Sequence, residues 1–226
     1  MQTLTKADRA PKVVRAARRH LRLTRRTGNE TARELAERIA GPLEALGVKI
    51  GASAAAQAAA ADAFDDWAQD DGRLDRAVRS LHRKCVDWDA DHPGAKTREL
   101  LFQGRAVSQI THAPRAGEPD LVTALVARGA GLPAGHPGVT LLGSLTELAE
   151  ASREGHREVI DARQRLIVVD AELDLARLEV VRLYRDNAID IARAVGDELA
   201  EDCFPILRRA GRKADSVEDV DSGDDE

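Results

Sequence analysis

At 226 residues the chain has room for one large domain or two small ones. Trp, Tyr and Phe together make up only 3% of it, and β-branched or aromatic clusters bounded by turns are almost absent. That composition excludes a β-sandwich or barrel and suits long helices of Ala, Leu, Arg and Glu. The net charge of −5 is mild but unevenly spread. The first 28 residues set Lys6, Arg9, Lys12, Arg15, Arg18, Arg19, Arg22, Arg25 and Arg26 against Asp8 alone, whereas 215–226 is rich in Asp and Glu with no base.

The first helix is expected from Asp8, a good N-cap, with Pro11 tolerated in its first turn, to Arg26 before Thr27-Gly28-Asn29. A second begins at Asn29 or Thr31 and carries Ala32, Leu35, Ala36 and Ile39 on one face. It ends near Gly41-Pro42 or Gly47. A third, from about Ala52 to Asp89, holds a ladder of Ala60, Phe64, Trp67, Asp71, Leu74, Val78, Leu81, Cys85 and Trp88 in steps of four and three. Only Asp71 is polar in it.

His92-Pro93-Gly94 breaks the chain. Short helices are expected over Ala95–Phe102 and from Glu118-Pro119-Asp120 to Gly129, inside an irregular connector, 92–138. The second His-Pro-Gly, at 136–138, reads as coincident turn chemistry, since the flanks of the two copies differ. A long helix then spans Val139 to Cys203, about 95 Å at ~1.5 Å per residue. Its ladder runs Leu141, Leu145, Leu148, Ser152, Gly155, Val159, Ala162, Leu166, Val169, Leu173, Ala176, Val180 and Leu183. Ser152 and Gly155 interrupt the apolar run, and the step through Val180, Tyr184 and Ala188 is a stutter. Gly155 and Gly196 mark bends.

A second apolar stripe, Ile167, Ala171, Leu175 and Leu178, lies nearly opposite the first on this helix. A helix apolar on two opposed faces needs partners on both. The in-chain partner is the third helix, which leaves the outer stripe for self-association.

Chemical motifs are sparse. Arg15, Arg18, Arg19, Arg22, Arg25 and Arg26 share one face of the first helix, behind an apolar face of Ala10, Val13, Val14, Ala17 and Leu21. Phosphate backbones reward such a face through counterion release. No aromatic is interleaved for base stacking, and no Trp or Phe anchors the helix in a membrane. The competing assignment is electrostatic pairing inside the protein, with Asp62, Asp65, Asp66 and Asp70 of the third helix as the partners. His82 and Cys85 supply half of a zinc set and nothing completes it. Glu-x-x-His pairs, a Gly-x-Ser-x-Gly elbow and a phosphate-cradling loop are missing.

The chain therefore reads as all-α: an elongated antiparallel helical bundle or coiled coil with a very long C-terminal helix. One helical domain covers 1–212, with N-terminal helices over 8–91, the connector over 92–138 and the long helix over 139–203. A disordered acidic tail occupies 213–226. The expected function is a non-enzymatic scaffold, adaptor or assembly subunit, without cofactor or metal, that forms a homo-oligomer. Phosphate-backbone binding through the basic helix is the alternative, and an enzyme or metal protein with an unrecognised site is the third reading. Two separated cysteines and no secretory or membrane-length apolar run point to the cytoplasm. The Arg-rich start also has the composition of a transit peptide.

Overall fold

The structure is a computed structural model that describes residues 4–114 and 117–204. The acidic tail expected over 213–226 lies outside them. The chain is all-α, and no strand occurs among the described residues. Helix α1 is Ala10–Arg26, α2 Glu30–Glu37, α3 Ala40–Asp91, α4 Thr97–Phe102, α5 Val107–Thr111, α6 Glu118–Arg128, α7 Val139–Val195 and α8 Asp197–Asp202.

The start of α1 differs by one residue from the expected cap. Arg9 is the N-cap, while the Asp8 carboxylate accepts from the Thr5 amide at 2.8 Å and from Lys12. Asn29 caps α2 as expected, accepting from the Ala32 amide at 2.9 Å. α2 ends at Glu37, shortly before the expected stop at Gly41-Pro42, but α3 begins at Ala40 rather than near Ala52, so Gly41, Pro42 and Gly47 lie inside it. Pro42 falls in the first turn, where its missing N–H has no intrahelical acceptor to lose. Gly47 and Gly51 each weaken a helix by ~1 kcal/mol, but Leu43 and Leu46 are buried beside them and Ile50 packs on the same core. Tertiary burial outweighs the local preference.

The chain forms two compact units. One comprises Met1–Ile50 with Glu172–Glu226, and the other is Gly51–Ala171. The core of the first joins Val13, Ala16 and Ala17 of α1 to Ile39, Leu46, Val180, Tyr184 and Ile191. Both sides of the stutter are seated there, since Val180, Val181, Tyr184, Ala188 and Ile191 are all buried. The long helix ends at Val195 rather than Cys203. Gly196 takes a φ of +88°, which a residue with a side chain adopts only under strain. After that turn the short α8 returns Ala200, Cys203 and Phe204 to the core.

The second unit is built on an antiparallel seam between α3 and α7. Leu74, Val78, Leu81 and Cys85 of the α3 ladder are buried, as are Leu145 and Ala149 of α7. Leu101, Phe102, Ile110, Val122 and Leu125 from the connector complete this core. The two interruptions of the α7 ladder each meet a counterpart on α3. Gly155 lies against Trp67, so closely that a Cβ added there would stand 3.3 Å from the Trp67 Cα, Cβ and Cδ1 atoms. Ser152 is fully buried and its hydroxyl donates to Asp71 Oδ1 at 3.3 Å, so the one polar rung of α3 meets the one polar rung of α7. The two His-Pro-Gly turns also share a partner. His92 stacks on Trp88 with centroids 3.8 Å apart, and His136 lies 5.0 Å from the same ring.

Two glycines of α7 separate packing from propensity. Gly155→Val is expected to destabilise the fold by about 1–3 kcal/mol through overpacking against Trp67. At Gly143 an added Cβ would meet nothing within 4 Å, so alanine there is expected to gain up to ~1 kcal/mol. Urea unfolding followed by circular dichroism measures both. A Gly155→Val variant as stable as the parent contradicts the close approach.

Candidate interaction surfaces and a buried carboxylate cluster

α1 is amphipathic with its buried face turned slightly from expectation. Val13, Ala16, Ala17, His20 and Thr24 are inside, while Ala10, Val14 and Leu21 pack at the edge of the core. The polar pair is accommodated by local bonds. Thr24 donates to the His20 carbonyl at 2.9 Å, and His20 Nδ1 donates to the Cys203 carbonyl at 2.8 Å. That bond leaves Nε2 as the acceptor, facing the Asn187 amide at 3.4 Å. Burial lowers the His20 pKa, against the opposing effect of the Cys203 carbonyl, so the ring is neutral. It stacks on Phe204 at 4.2 Å and meets Tyr184 edge-on at 5.5 Å. Nothing here marks a nucleophile. His20 fastens the segment after Gly196 to α1.

The six arginines of α1 are all exposed. Arg25 is committed to Glu37 at 2.8 Å. Among the described residues no ion pair holds Arg15, Arg18, Arg19, Arg22 or Arg26. The first four line a groove of about 610 Å³ whose floor is Pro11, Val14 and Ile50. On α3, Asp62, Asp65 and Asp66 are exposed, and Asp70 is bound to Arg73 at 3.0 Å.

The outer stripe of α7 is exposed too. Ile167 and Leu175 each leave 69% of their surface in solvent, and Val168 leaves 58%. Ala171 is exposed and Leu178 half-buried. Leu178 also lines a groove of about 590 Å³ with Lys6, Val181, Arg185 and Ile189.

One site escaped the sequence. Glu118, the first residue of α6, is only 2% exposed and shares a hydrogen bond with Asp75. Apart from that shared proton, Glu118 Oε1 and Asp75 Oδ1 are buried with no other hydrogen-bond partner. Asp75 is also bound to Arg79 at 2.9 Å. Burial first, then the neighbouring Asp71 and Asp75 carboxylates, push the Glu118 carboxyl up to about 8, against the weaker pull of Arg79. At neutral pH it is a protonated acid that donates to Asp75. The sequence offers no signal for this, because Glu-Pro-Asp is also an ordinary helix start.

The candidate ligand pair on α3 is divided between other tasks. His82 sits edge-on to Phe102 at 5.0 Å. Cys85 is fully buried, and burial raises its thiol to about 11. Among the described residues no group of three or more His, Cys, Asp or Glu is placed to hold a metal ion.

The Glu118 geometry makes stability depend on pH in a definite direction. Its folded pKa lies above the value of 4.5 usual for glutamate, so its contribution is whole below that value and is lost as pH rises to about 8. Unfolding free energy measured across this window should decline, and Glu118→Gln should remove most of the slope. An unchanged slope in the variant would assign the dependence to another group. Compared with protein-family models, with curated proteins and with solved structures, the chain matches none of them significantly.

Proposed function

We propose that this protein is a non-enzymatic helical assembly subunit that self-associates through the outer face of α7. One observation carries the reading: three large apolar side chains, Ile167, Val168 and Leu175, stand mostly in solvent midway along a 57-residue helix. Such clustering on one face is the usual mark of a protein contact, whereas single exposed apolar residues are not. Two buried free thiols go with a reducing, cytoplasmic setting. Among the described residues no helix is long and apolar enough to cross a membrane. Sedimentation velocity at micromolar concentration tests the proposal. The parent is expected to be dimeric or larger, and Ile167→Glu with Leu175→Glu to be monomeric with unchanged helicity. A parent that remains monomeric overturns it.

The second reading is binding of phosphate backbones by α1, favoured by the five arginines without an ion pair among the described residues. It predicts sequence-indifferent affinity for single-stranded oligonucleotides, with log K falling by about 0.7 per contacted phosphate for each decade of salt. Arg15→Gln, Arg18→Gln and Arg22→Gln together should lower that slope by about two. Fluorescence anisotropy at several salt concentrations measures it, and a slope that the triple variant leaves intact removes α1 from the interaction.

A further inference from the structure

The charges around the outer stripe specify more than an apolar contact. Asp161, Gln164, Val168, Ala171, Leu175, Leu178, Arg182 and Arg185 follow one another in alternating steps of three and four on α7. They therefore form a single seam of coiled-coil spacing. Arg165, Glu172 and Glu179 recur every seven residues along one edge of it, and Ile167 and Asp174 along the other.

We propose, resting on the self-association above, that the second copy lies antiparallel on this seam, with the two-fold axis beside Leu173. In that register Leu175 packs beside the second copy's Ala171, and Val168 beside its Leu178. Asp161 meets Arg185, and along the edge Arg165 meets Glu179, each contact occurring twice by symmetry. The small Ala171 admits the Leu175 side chain near the axis.

The ion pairs within the chain single out this arrangement. Asp161, Arg165, Glu179 and Arg185 are exposed, and none has an ion pair among the described residues. They are the four charges that meet an opposite charge in the antiparallel register. Two like-charge approaches occur near its axis, Glu172 to Glu172 and Asp174 to Asp174. Both carboxylates already hold cations of their own chain, Glu172 through Lys49 and Asp174 through Arg177 at 3.1 Å. A parallel in-register pair fares worse. It sets Asp161 against Asp161 and Arg182 against Arg182 in the seam, and it brings Asp174 to Glu179 across the edge, five positions apart. Like charges so placed repel.

Two measurements test the register. Arg165→Glu or Glu179→Arg alone turns two attractions into repulsions, so each is expected to weaken the dimer about ten-fold. The double exchange is expected to return Kd to within about three-fold of the parent. In the second experiment, a full-length Ala171→Cys chain and a differently tagged Leu175→Cys chain are mixed and mildly oxidised. The native thiols at Cys85 and Cys203 are buried and stay silent. The antiparallel register yields the mixed disulfide, whereas a parallel one yields like-with-like disulfides at both positions. Like-with-like products, or a double exchange as weak as the singles, overturn the register while leaving self-association intact. A parent that sediments as a monomer overturns self-association itself.

Discussion

Gly155 on Trp67 is the contact on which the second unit depends. A side chain on Gly155 would hold α7 away from α3 where an indole must be covered. The same approach brings Ser152 within hydrogen-bonding distance of Asp71, so a small residue and a polar pair are set one turn apart on the same seam. Close packing of two long helices requires such matched irregularities, because a uniform apolar ladder tolerates shifts in register that a glycine under a tryptophan does not. The connector then packs against a seam already aligned, and its Leu101, Phe102, Ile110, Val122 and Leu125 close the core.

In the other unit the corresponding fastening is polar and aromatic. His20, neutral and bound to the Cys203 carbonyl, brings Phe204 onto α1 beside Tyr184. The positive φ of Gly196 makes the return possible. Thr24 donates to the His20 carbonyl, so both polar side chains are accommodated inside this core.

Glu118 adds a charge-dependent element to an otherwise apolar core. A protonated carboxyl hydrogen-bonded to Asp75, with Asp71 close by, is stable only while its proton stays. Ionisation would place three carboxylates together against Arg79, at the point where α6 begins. Gain or loss of that proton therefore bears on the stability of this unit.

Helical periodicity, a local property, was legible throughout. The all-α class, the two ladders, the shared face of the six arginines and the outer stripe of Ile167 and Leu175 all follow from which residues recur at three and four. Element ends were less legible where local and tertiary preferences compete. α2 stops just before Gly41-Pro42, yet burial of Leu43 and Leu46 lets α3 start at Ala40 rather than near Ala52, and Gly196 ends α7 eight residues before the expected end at Cys203. Residues that interrupt a pattern, such as Ser152, Gly155 and Asp71, look like defects until their counterparts across the seam are known. Glu118 carried no sign at all, since burial and the nearness of Asp71 and Asp75 arise only when α6 docks on α3. The sequence by itself determined which faces are apolar and which are charged, because side-chain direction along a helix follows from its 3.6-residue turn. Only the tertiary structure decided which irregularities match and which carboxyl keeps its proton, because both depend on distances between residues far apart in the chain.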